Sequence, residues 1–402
     1  MKRILFIILL AITLCGCTNQ KEENNQTEVI TEPEDSFEVP STPSPKPTEI
    51  PTESTTNKDI EPENSYTEEK EKETTTVKEE YKNITLAFVG DMYLGDTLYN
   101  YYKEKESVLG FMDETILNNF KEVDIMIANH EYASTNLPDS YKDKRQLYNF
   151  KAPTDREIIW HELGVDVLSL ANNHAMDYGE QSLFDTIETL DKLNLANIGA
   201  GHNLEEAKEA YITEINGKKI AILASCRFVV DGEWYATKDT SGVLTTYHTT
   251  EYFDVVKKEI TRVKEEEKCD FVAIYVHFGT EKKNTPNENQ PIIAHGYIDS
   301  GADLVIGSHA HTLQGIEFYK GRPIYYNLGN FLFSSYQVDT MIVNISINED
   351  NTCTTSILPC IAKNYQVRSV DDTDYQRILD YIESISINAE IDEFGNVKEI
   401  EK

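Results

Sequence analysis

The sequence is poor in positive charge, and it lacks an apolar run long enough to span a membrane. Lys and Arg number 37 against 70 Asp and Glu, and the formal net charge at pH 7 is -33. Nucleic-acid binding is driven by contacts of Lys and Arg side chains with the phosphates. The excess of acidic residues therefore argues against a nucleic-acid partner. The same acidity disfavours adsorption to anionic lipid headgroups. Attachment to a membrane therefore requires a covalent or inserted anchor.

Cysteine is also scarce, and its spacing matches no zinc-binding motif. Beyond the amino-terminal region, the cysteines are Cys226, Cys269, Cys353 and Cys360. In an exported protein a disulfide can form, and Cys353 with Cys360 is the nearest pair in sequence. Four buried thiols are an equally good interpretation, because a free cysteine packs as a small hydrophobic side chain.

Residues 1–17 have the pattern of a bacterial lipoprotein signal peptide. A basic pair precedes an apolar run over residues 4–14, which is shorter than the roughly 20 residues that span a bilayer. The run ends in a Leu-Cys-Gly-Cys sequence that resembles a lipoprotein cleavage box, with Cys17 as the lipid-bearing residue. An ordinary signal peptide cut nearby, or an uncleaved anchor, is the alternative. Lipid on Cys17 would hold the protein at the outer face of the cytoplasmic membrane.

Residues 18–83 are predicted to be a disordered, acidic stalk. Seven of the thirteen prolines lie there, together with many Glu and Thr residues. Such a segment cannot bury enough apolar surface to offset its ordering entropy. Proline and like charges keep it extended, so it would hold the folded part away from the membrane. We expect a folded domain over residues 84–370 and a tail over residues 371–402 that is helical and then acidic.

From residue 84 onward, buried strands alternate with helical segments, which predicts parallel βαβ units. Strands are expected at residues 84–90, 123–128, 165–171, 271–276 and 303–307. Helices are expected at residues 107–120, 154–163, 179–193, 250–267 and 290–300. An Asn216-Gly217 pair between two apolar runs predicts a β-hairpin. The predicted fold class is α/β, a sandwich of mixed β-sheets flanked by helices.

Polar residues collect where the predicted strands end. Sites in open α/β sheets form at the carboxyl ends of strands, so side chains at these positions converge. The residues at these ends are Asp91, His130, Glu131, Asn173, His174, Asp177, His277, His309 and His311. Imidazole, carboxylate and amide oxygen suit Mn, Fe or Zn in a mixed nitrogen and oxygen site. The sequence therefore predicts a divalent metal centre.

Several of these residues have a structural alternative when taken alone. His309 and His311 would point the same way in a strand, but in a loop both would face solvent. Asparagines such as those before His174 also favour turns. Arg227, which follows a predicted strand, either holds an anionic substrate or makes a surface salt bridge. His130 is a second candidate for substrate contact.

Six short motifs occur in order over residues 84–335. They are Gly90-Asp91, residues 170–174 with 177–179, and residues 199–201, 277–279, 301–311 and 327–331. Together they resemble the CapA-type capsule biosynthesis family, also called poly-γ-glutamate synthesis proteins. That family is related to the calcineurin-like metallophosphoesterases, so the resemblance implies a metallophosphoesterase-like sandwich.

The resemblance also implies a role for each residue at a strand end. Asp91 and His311 would bind a first divalent metal ion, and Glu131 would bridge it to a second. The other ligands of the second ion would be Asn173, His277 and His309. Two ions so placed activate a hydroxide and stabilise charge on a phosphoryl group.

In the same resemblance, His174 would protonate a leaving oxygen and Asp177 would orient it. The sequence departs from the related phosphatases at Tyr93, where they carry the histidine of an Asp-x-His motif. One ligand of the first metal is therefore missing. The other departures from the family pattern are Asp96, His130 and Ala310.

The resemblance favours a component of poly-γ-glutamate capsule synthesis or export that works with a synthetase complex. Two other interpretations stay open. One is a secreted metal-dependent phosphoesterase, and the other is a non-catalytic scaffold with a vestigial site. Whether the protein is an enzyme is therefore not decided by the sequence.

Overall fold

The computed structural model describes residues 81–230, 232–247 and 249–400. The predicted signal peptide, its lipidation site Cys17 and the predicted stalk up to residue 80 lie outside the described residues. Within the described ranges, no helix has the length and apolar character needed to cross a lipid bilayer.

The described part of the chain alternates between strands and helices. The strands are β1 (Ile84–Met92), β2 (Ile125–His130), β3 (Ala133–Ser134), β4 (Lys151–Ala152), β5 (Val167–Ser169), β6 (Ala196–Ile198), β7 (Ala200–Gly201), β8 (Tyr211–Ile215), β9 (Lys218–Cys226), β10 (Gly242–Val243), β11 (Phe271–Phe278), β12 (Leu304–His309), β13 (Ile316–Tyr319), β14 (Arg322–Tyr325), β15 (Asn330–Leu332), β16 (Val338–Ile347), β17 (Cys353–Lys363), β18 (Gln366–Ser369), β19 (Ala389–Ile391) and β20 (Asn396–Glu399). The α-helices are α1 (Asp96–Lys105), α2 (Glu114–Glu122), α3 (Ile159–Leu163), α4 (Glu180–Lys192), α5 (Leu204–Ala207), α6 (Glu251–Glu265), α7 (Asn289–Asp299) and α8 (Asp372–Ser384).

Two mixed sheets contain most of these strands. The first has the order β19-β20-β17-β16-β1-β2-β5-β6, with β15 beside β1 and β18 beside β17. The second has the order β13-β14-β12-β11-β9-β8. Strands β1, β2, β5 and β6 run parallel, as do β9, β11, β12 and β14. The parallel units that the sequence predicted therefore form one half of the first sheet, out to its edge at β6, and the centre of the second.

The second sheet is buried on both faces, because alternate residues of a strand point to opposite sides. Along β11, Tyr275 belongs to the apolar core shared with the first sheet, whereas Ile274 packs with helices α6 and α7. The Tyr275 hydroxyl donates a 2.7 Å hydrogen bond to the carbonyl oxygen of Val89 on β1. The two sheets thus form the sandwich of mixed β-sheets, flanked by helices, that was expected.

The predicted hairpin is confirmed, whereas the helices near the amino-terminal end of the domain differ from the prediction. The hairpin of β8 and β9 turns at Asn216 and Gly217, which both have positive φ, as a two-residue hairpin loop requires. The helix expected at residues 107–120 begins later, because Asp113 caps α2 by accepting a hydrogen bond from the Ile116 amide. Helix α1 was not predicted, since Leu98 is its one buried residue and its apolar stripe is faint.

The segment after α8 differs from the acidic end that was expected. It forms strands β19 and β20, and β20 pairs with β17 at the edge of the first sheet. Ile391 and Val397 are buried while Glu390 and Lys398 are exposed, which is the alternation of a half-buried hairpin. The acidic residues that resemble a tail therefore lie on the exposed face of a hairpin.

The disulfide considered for Cys353 and Cys360 does not form. Both residues lie in β17, and at about 3.3 Å per residue their Cα atoms are about 23 Å apart, beyond the roughly 7 Å limit for a disulfide. The four described cysteines are free thiols, and all but the half-buried Cys353 are buried. The interpretation as packed thiols is therefore confirmed for the other three.

Tyr275→Phe is expected to lower the free energy of unfolding by about 1 kcal/mol or more, because it removes a buried hydrogen bond between the sheets. Urea denaturation measures this change. Tyr319→Phe is the matched control, since its hydroxyl bonds Asp299 at the exposed surface, and we expect a change below about 0.5 kcal/mol. Equal effects in the two variants would show that the bond between the sheets does not stabilise the fold.

Candidate metal centre

The carboxyl ends of β1 and β2 in the first sheet meet those of β11 and β12 in the second. The loop after β5 joins them from a third direction. The predicted metal-binding residues that the structure brings together are Asp91, Glu131, Asn173, His277, His309 and His311. The convergence expected from strand ends is thus present in the structure.

Two triads of metal-binding side chains occur in the described ranges, and they share Glu131. One is Glu131 with His277 and His309, and the other is Asp91 with Glu131 and His311. In each triad the donor atoms lie within 4.8 Å of one another. A shared carboxylate is the arrangement that two neighbouring cations need.

The Glu131 side chain fits a cation between the triads. Its Oε1 lies 3.5 Å from His277 Nε2 and 4.0 Å from His311 Nε2. This oxygen is buried and has no hydrogen-bond partner among the described residues. A buried carboxylate oxygen without a partner is costly. The unpartnered oxygen therefore supports a divalent metal ion at this position, and this observation does not depend on the sequence motifs.

The His277 imidazole is held from both of its nitrogens. Its Nδ1 lies 2.8 Å from the Ser308 hydroxyl oxygen, while Nε2 lies 2.7 Å from Asn173 Oδ1 and 3.0 Å from His309 Nδ1. A partner on one ring nitrogen fixes the orientation of the other for metal binding. Nε2 is therefore the atom that His277 presents to the triad.

Both histidines of this triad are neutral at neutral pH. Burial, followed by the proximity of His309, lowers the pKa of His277 well below its ordinary value. Burial, followed by the charge of His311, lowers the pKa of His309 to about 3. Neutral imidazole is the form that binds a metal ion.

The other triad contains an ion pair. His311 Nδ1 lies 3.0 Å from Asp91 Oδ2. Burial alone would raise the pKa of Asp91, but the hydrogen bond and charge of His311 lower it below its usual range. Burial would lower the pKa of His311, but Asp91 raises it overall. Burial, together with the charge of Asp91, raises the pKa of Glu131 well above its ordinary value.

The backbone around the two last histidines is bent. His309 has φ 91° and His311 has φ 55°, a region that residues other than glycine occupy rarely. Strand β12 ends at His309, so the alternation of a strand does not apply to His311. The turn directs the two side chains to different triads. They therefore neither point the same way, as in a strand, nor both face solvent, as in an open loop. Strained backbone of this kind is typical of functional sites.

The predicted acid pair forms beside the triads. His174 Nδ1 lies 2.8 Å from Asp177 Oδ2, which also accepts a 2.5 Å hydrogen bond from the Phe150 amide. The side-chain amide of Gln146 donates to Asp177 Oδ1. The Phe150 ring contacts the imidazole edge-on, with centroids 4.5 Å apart. These contacts fix the ring of His174 and leave its Nε2 as the atom available for a proton.

The structure does not bring His130 to the metal centre. Its side chain is 0% exposed, its Nε2 lies 3.0 Å from Glu157 Oε2, and its ring stacks on Tyr132. Successive residues of a strand point to opposite faces, so His130 lies on the side away from Glu131. A direct contact between His130 and a substrate is therefore closed off in this conformation.

Arg227 lies next to the centre, at the end of β9. Its backbone amide donates a 2.8 Å hydrogen bond to the carbonyl oxygen of His277, and its guanidinium packs 4.0 Å from the centre of the Tyr247 ring. The residue is 9% exposed, and its Nε has no hydrogen-bond partner in the described part of the chain. The surface salt bridge weighed from the sequence does not form with any described residue.

Four further polar residues contact the predicted site residues. They are Asn129, Gln146, Ser308 and Asn330. Asn129 and Ser308 each lie within two residues of a predicted ligand, and Asn330 lies in the motif of residues 327–331. The sequence therefore contained an indication of these three residues. Gln146 lies in a loop without a motif, and nothing in the sequence indicated it.

Comparisons with known proteins show which family the chain belongs to. A family model described as bacterial capsule synthesis protein PGA_cap matches residues 85–335. The capsule biosynthesis protein CapA of Bacillus anthracis is 30% identical over 293 residues, which cover 70% of this chain and 68% of that protein. The PGA biosynthesis protein CapA of Bacillus subtilis (strain 168) is 31% identical over 284 residues, which cover 69% of this chain and 71% of that protein.

Among solved structures, one described as a novel phosphatase of Mycoplasma pneumoniae is similar, with a TM-score of 0.46 and 14% identity. The alignment covers 71% of this chain and 96% of that chain. The family model spans more than half of the sequence and contains every donor of the two triads. The chain therefore belongs to the bacterial capsule synthesis protein PGA_cap family.

Proposed function

We propose that this protein is a surface lipoprotein of poly-γ-glutamate capsule synthesis or export whose buried centre binds two divalent metal ions. The observation that carries the proposal is the Glu131 carboxylate, which two triads of metal-binding side chains share. The names of the two similar Bacillus proteins support the biological setting. The pattern that ends at Cys17 supports a lipid anchor at the outer face of the cytoplasmic membrane. A capsule synthetase complex is the partner that this setting implies.

The donors divide between two ions. Asp91 and His311 would hold the first, and Glu131 would contribute to both. The remaining ligands of the second ion would be Asn173, His277 and His309. This set of nitrogen and oxygen atoms, without a thiolate, favours Mn, Fe or Zn. Bound as a pair, such ions would supply an activated hydroxide and stabilise negative charge at the reacting centre.

Side chains of the protein would then handle the proton and the substrate. Asp177 holds Nδ1 of His174, so Nε2 can give a proton to a leaving oxygen. The Phe150 ring packs edge-on against the imidazole and helps to hold it in place. Arg227 has an Nε–H without a hydrogen-bond partner among the described residues, and its guanidinium suits a carboxylate or a phosphate. Poly-γ-glutamate, with one carboxylate per unit, provides such a group.

A metal-dependent phosphoesterase is the second candidate function. The observation that favours it is the pairing of His174 and Asp177 next to two triads, which is a general acid beside a two-metal site. Tyr93 stands where the related phosphatases have a metal-binding histidine, which favours the capsule role over a standard phosphatase. A screen of phosphate esters with the metal-loaded protein separates the two candidates.

The purified protein, incubated with Mn²⁺ and desalted, is expected to contain about two metal ions per chain, the number that a two-metal mechanism needs. His309→Ala is expected to lose about one of them, because it removes a ligand from one triad only. Elemental analysis measures both. His295→Ala is the matched control, since His295 on α7 contacts Glu317 and Tyr319. Unchanged metal content in His309→Ala would refute the ligand assignment.

Metal affinity is expected to rise as the pH increases through the neutral range. Glu131 and His311, whose pKa values are both raised, must lose protons when metal binds, whereas His277 and His309 are already neutral. Binding therefore releases protons, and more of them at lower pH. Calorimetric titrations in two buffers of different ionisation enthalpy count these protons. Affinity that does not change with pH would contradict this arrangement.

In the producing bacterium, loss of the protein is expected to remove most surface poly-γ-glutamate, and the wild-type chain should restore it. His174→Asn should restore at least tenfold less, because general acids commonly contribute a factor of about 100 or more. The amount of cell-bound polymer measures both effects. If the His174→Asn and His309→Ala variants each restored the full amount of cell-bound polymer, the scaffold interpretation would be favoured.

The lipid anchor is tested separately in the same strains. Cys17→Ser is expected to release the protein into the medium or leave it uncleaved, because the residue that carries the lipid is gone. Labelling with a radioactive fatty acid and fractionation of the cells detect the change. A variant that keeps both the label and the membrane fraction would show that Cys17 is not the lipidation site.

A further inference from the structure

We infer that Asn330 is a ligand of the first metal ion and replaces the histidine that is missing at Tyr93. The inference rests on the metal centre proposed above. It assigns a role to the motif of residues 327–331, which the proposed mechanism does not otherwise use.

The strand that carries Asn330 is built into the site. Strand β15 runs parallel to β1, and Asn330 is paired with Asp91 in register. The amide of Asp91 donates a 3.2 Å hydrogen bond to the carbonyl oxygen of Gly329. A Cβ atom at Gly90 would lie 1.9 Å from that same oxygen, so only glycine permits this approach. The chain before Asn330 is thus pressed against the strand that supplies Asp91.

The donor atoms around His311 have the spacing of ligands on one ion. Nδ1 of His311 lies 2.7 Å from Asn330 Oδ1 and 3.0 Å from Asp91 Oδ2. Donors bound at about 2.1 Å and at right angles lie about 3 Å apart. Asn330 is 2% exposed, so solvent does not compete for its oxygen. The three atoms are therefore arranged as neighbouring corners of a coordination shell.

Hydrogen bonding alone accounts for this cluster less well than a metal does. A ring nitrogen carries at most one proton, yet Nδ1 of His311 faces two acceptor oxygens, one from Asp91 and one from Asn330. One acceptor is therefore in excess. A cation among the three atoms would satisfy both oxygens and the nitrogen together.

Tyr93 leaves the position open for another ligand. Its hydroxyl donates a 3.0 Å hydrogen bond to the carbonyl oxygen of Lys151, and its ring packs against Tyr132, Phe150 and Phe333. These contacts account for the side chain without the metal centre. With Asn330 as a ligand, the first ion would be held by two carboxylates, one amide oxygen and one imidazole. This oxygen-rich set favours Mn²⁺ over Zn²⁺ at this position.

The test is a Mn²⁺ titration of the metal-free full chain, followed by calorimetry and by electron paramagnetic resonance of free Mn²⁺. Wild type is expected to bind two ions. Asn330→Ala should bind one ion with unchanged affinity and the other at least about tenfold more weakly. Asn330→Asp should recover the second ion, because it returns an oxygen to the same position. Asn344→Ala on β16 is the matched control and should behave as wild type.

The outcomes separate this inference from the function on which it rests. Two ions with wild-type affinity in Asn330→Ala would overturn the ligand role and leave the centre intact. Equal weakening of the affinity for both ions would also overturn the ligand role, because it would indicate a general structural defect and not the loss of one ligand. A wild-type chain that binds no metal would overturn the proposed function as well. Loss of one ion, with recovery in Asn330→Asp, would establish the assignment.

Discussion

One buried carboxylate sets the requirements for the rest of this structure. Glu131 is closed off from water, its Oε1 has no hydrogen-bond partner among the described residues, and the charge of Asp91 is nearby. A carboxylate in that position must either take up a proton or meet a cation. The histidines of both triads lie on the opposite sheet, so Glu131 can be satisfied only while the sheets stay in register. The hydrogen bond from Tyr275 to Val89 and the apolar core shared by the two sheets maintain that register.

The same constraint explains how far the site could be predicted. Parallel strands deliver their carboxyl ends to one edge, so the polar residues that follow each apolar run pointed to the candidate ligands without knowledge of the sheet order. Glu131 and His277 were found in this way. Alternation along a strand also separates Glu131 from His130, and applying that rule to the pair would have placed His130 outside the site.

Other features depend on contacts that the sequence does not encode locally. The positive φ angles of His309 and His311 arise where β12 leaves the sheet, and no residue type at these positions signals such a bend. Gln146 reaches Asp177 from a loop that has no periodicity of its own. Strands β19 and β20 are short and rich in charge, and they become strands because the edge of β17 pairs with them. In each case the tertiary partner decides the local conformation.

The ligands are spread widely along the chain, and this has a consequence for the order of events in biosynthesis. The first donor is Asp91, and the last donors of the triads are His309 and His311. A growing chain holds the early carboxylates but none of the late histidines. Neither triad is complete until residue 311 has been made and β12 has joined its sheet. Metal capture, as proposed above, would therefore mark a finished fold, and fragments left by premature termination would compete poorly for scarce ions.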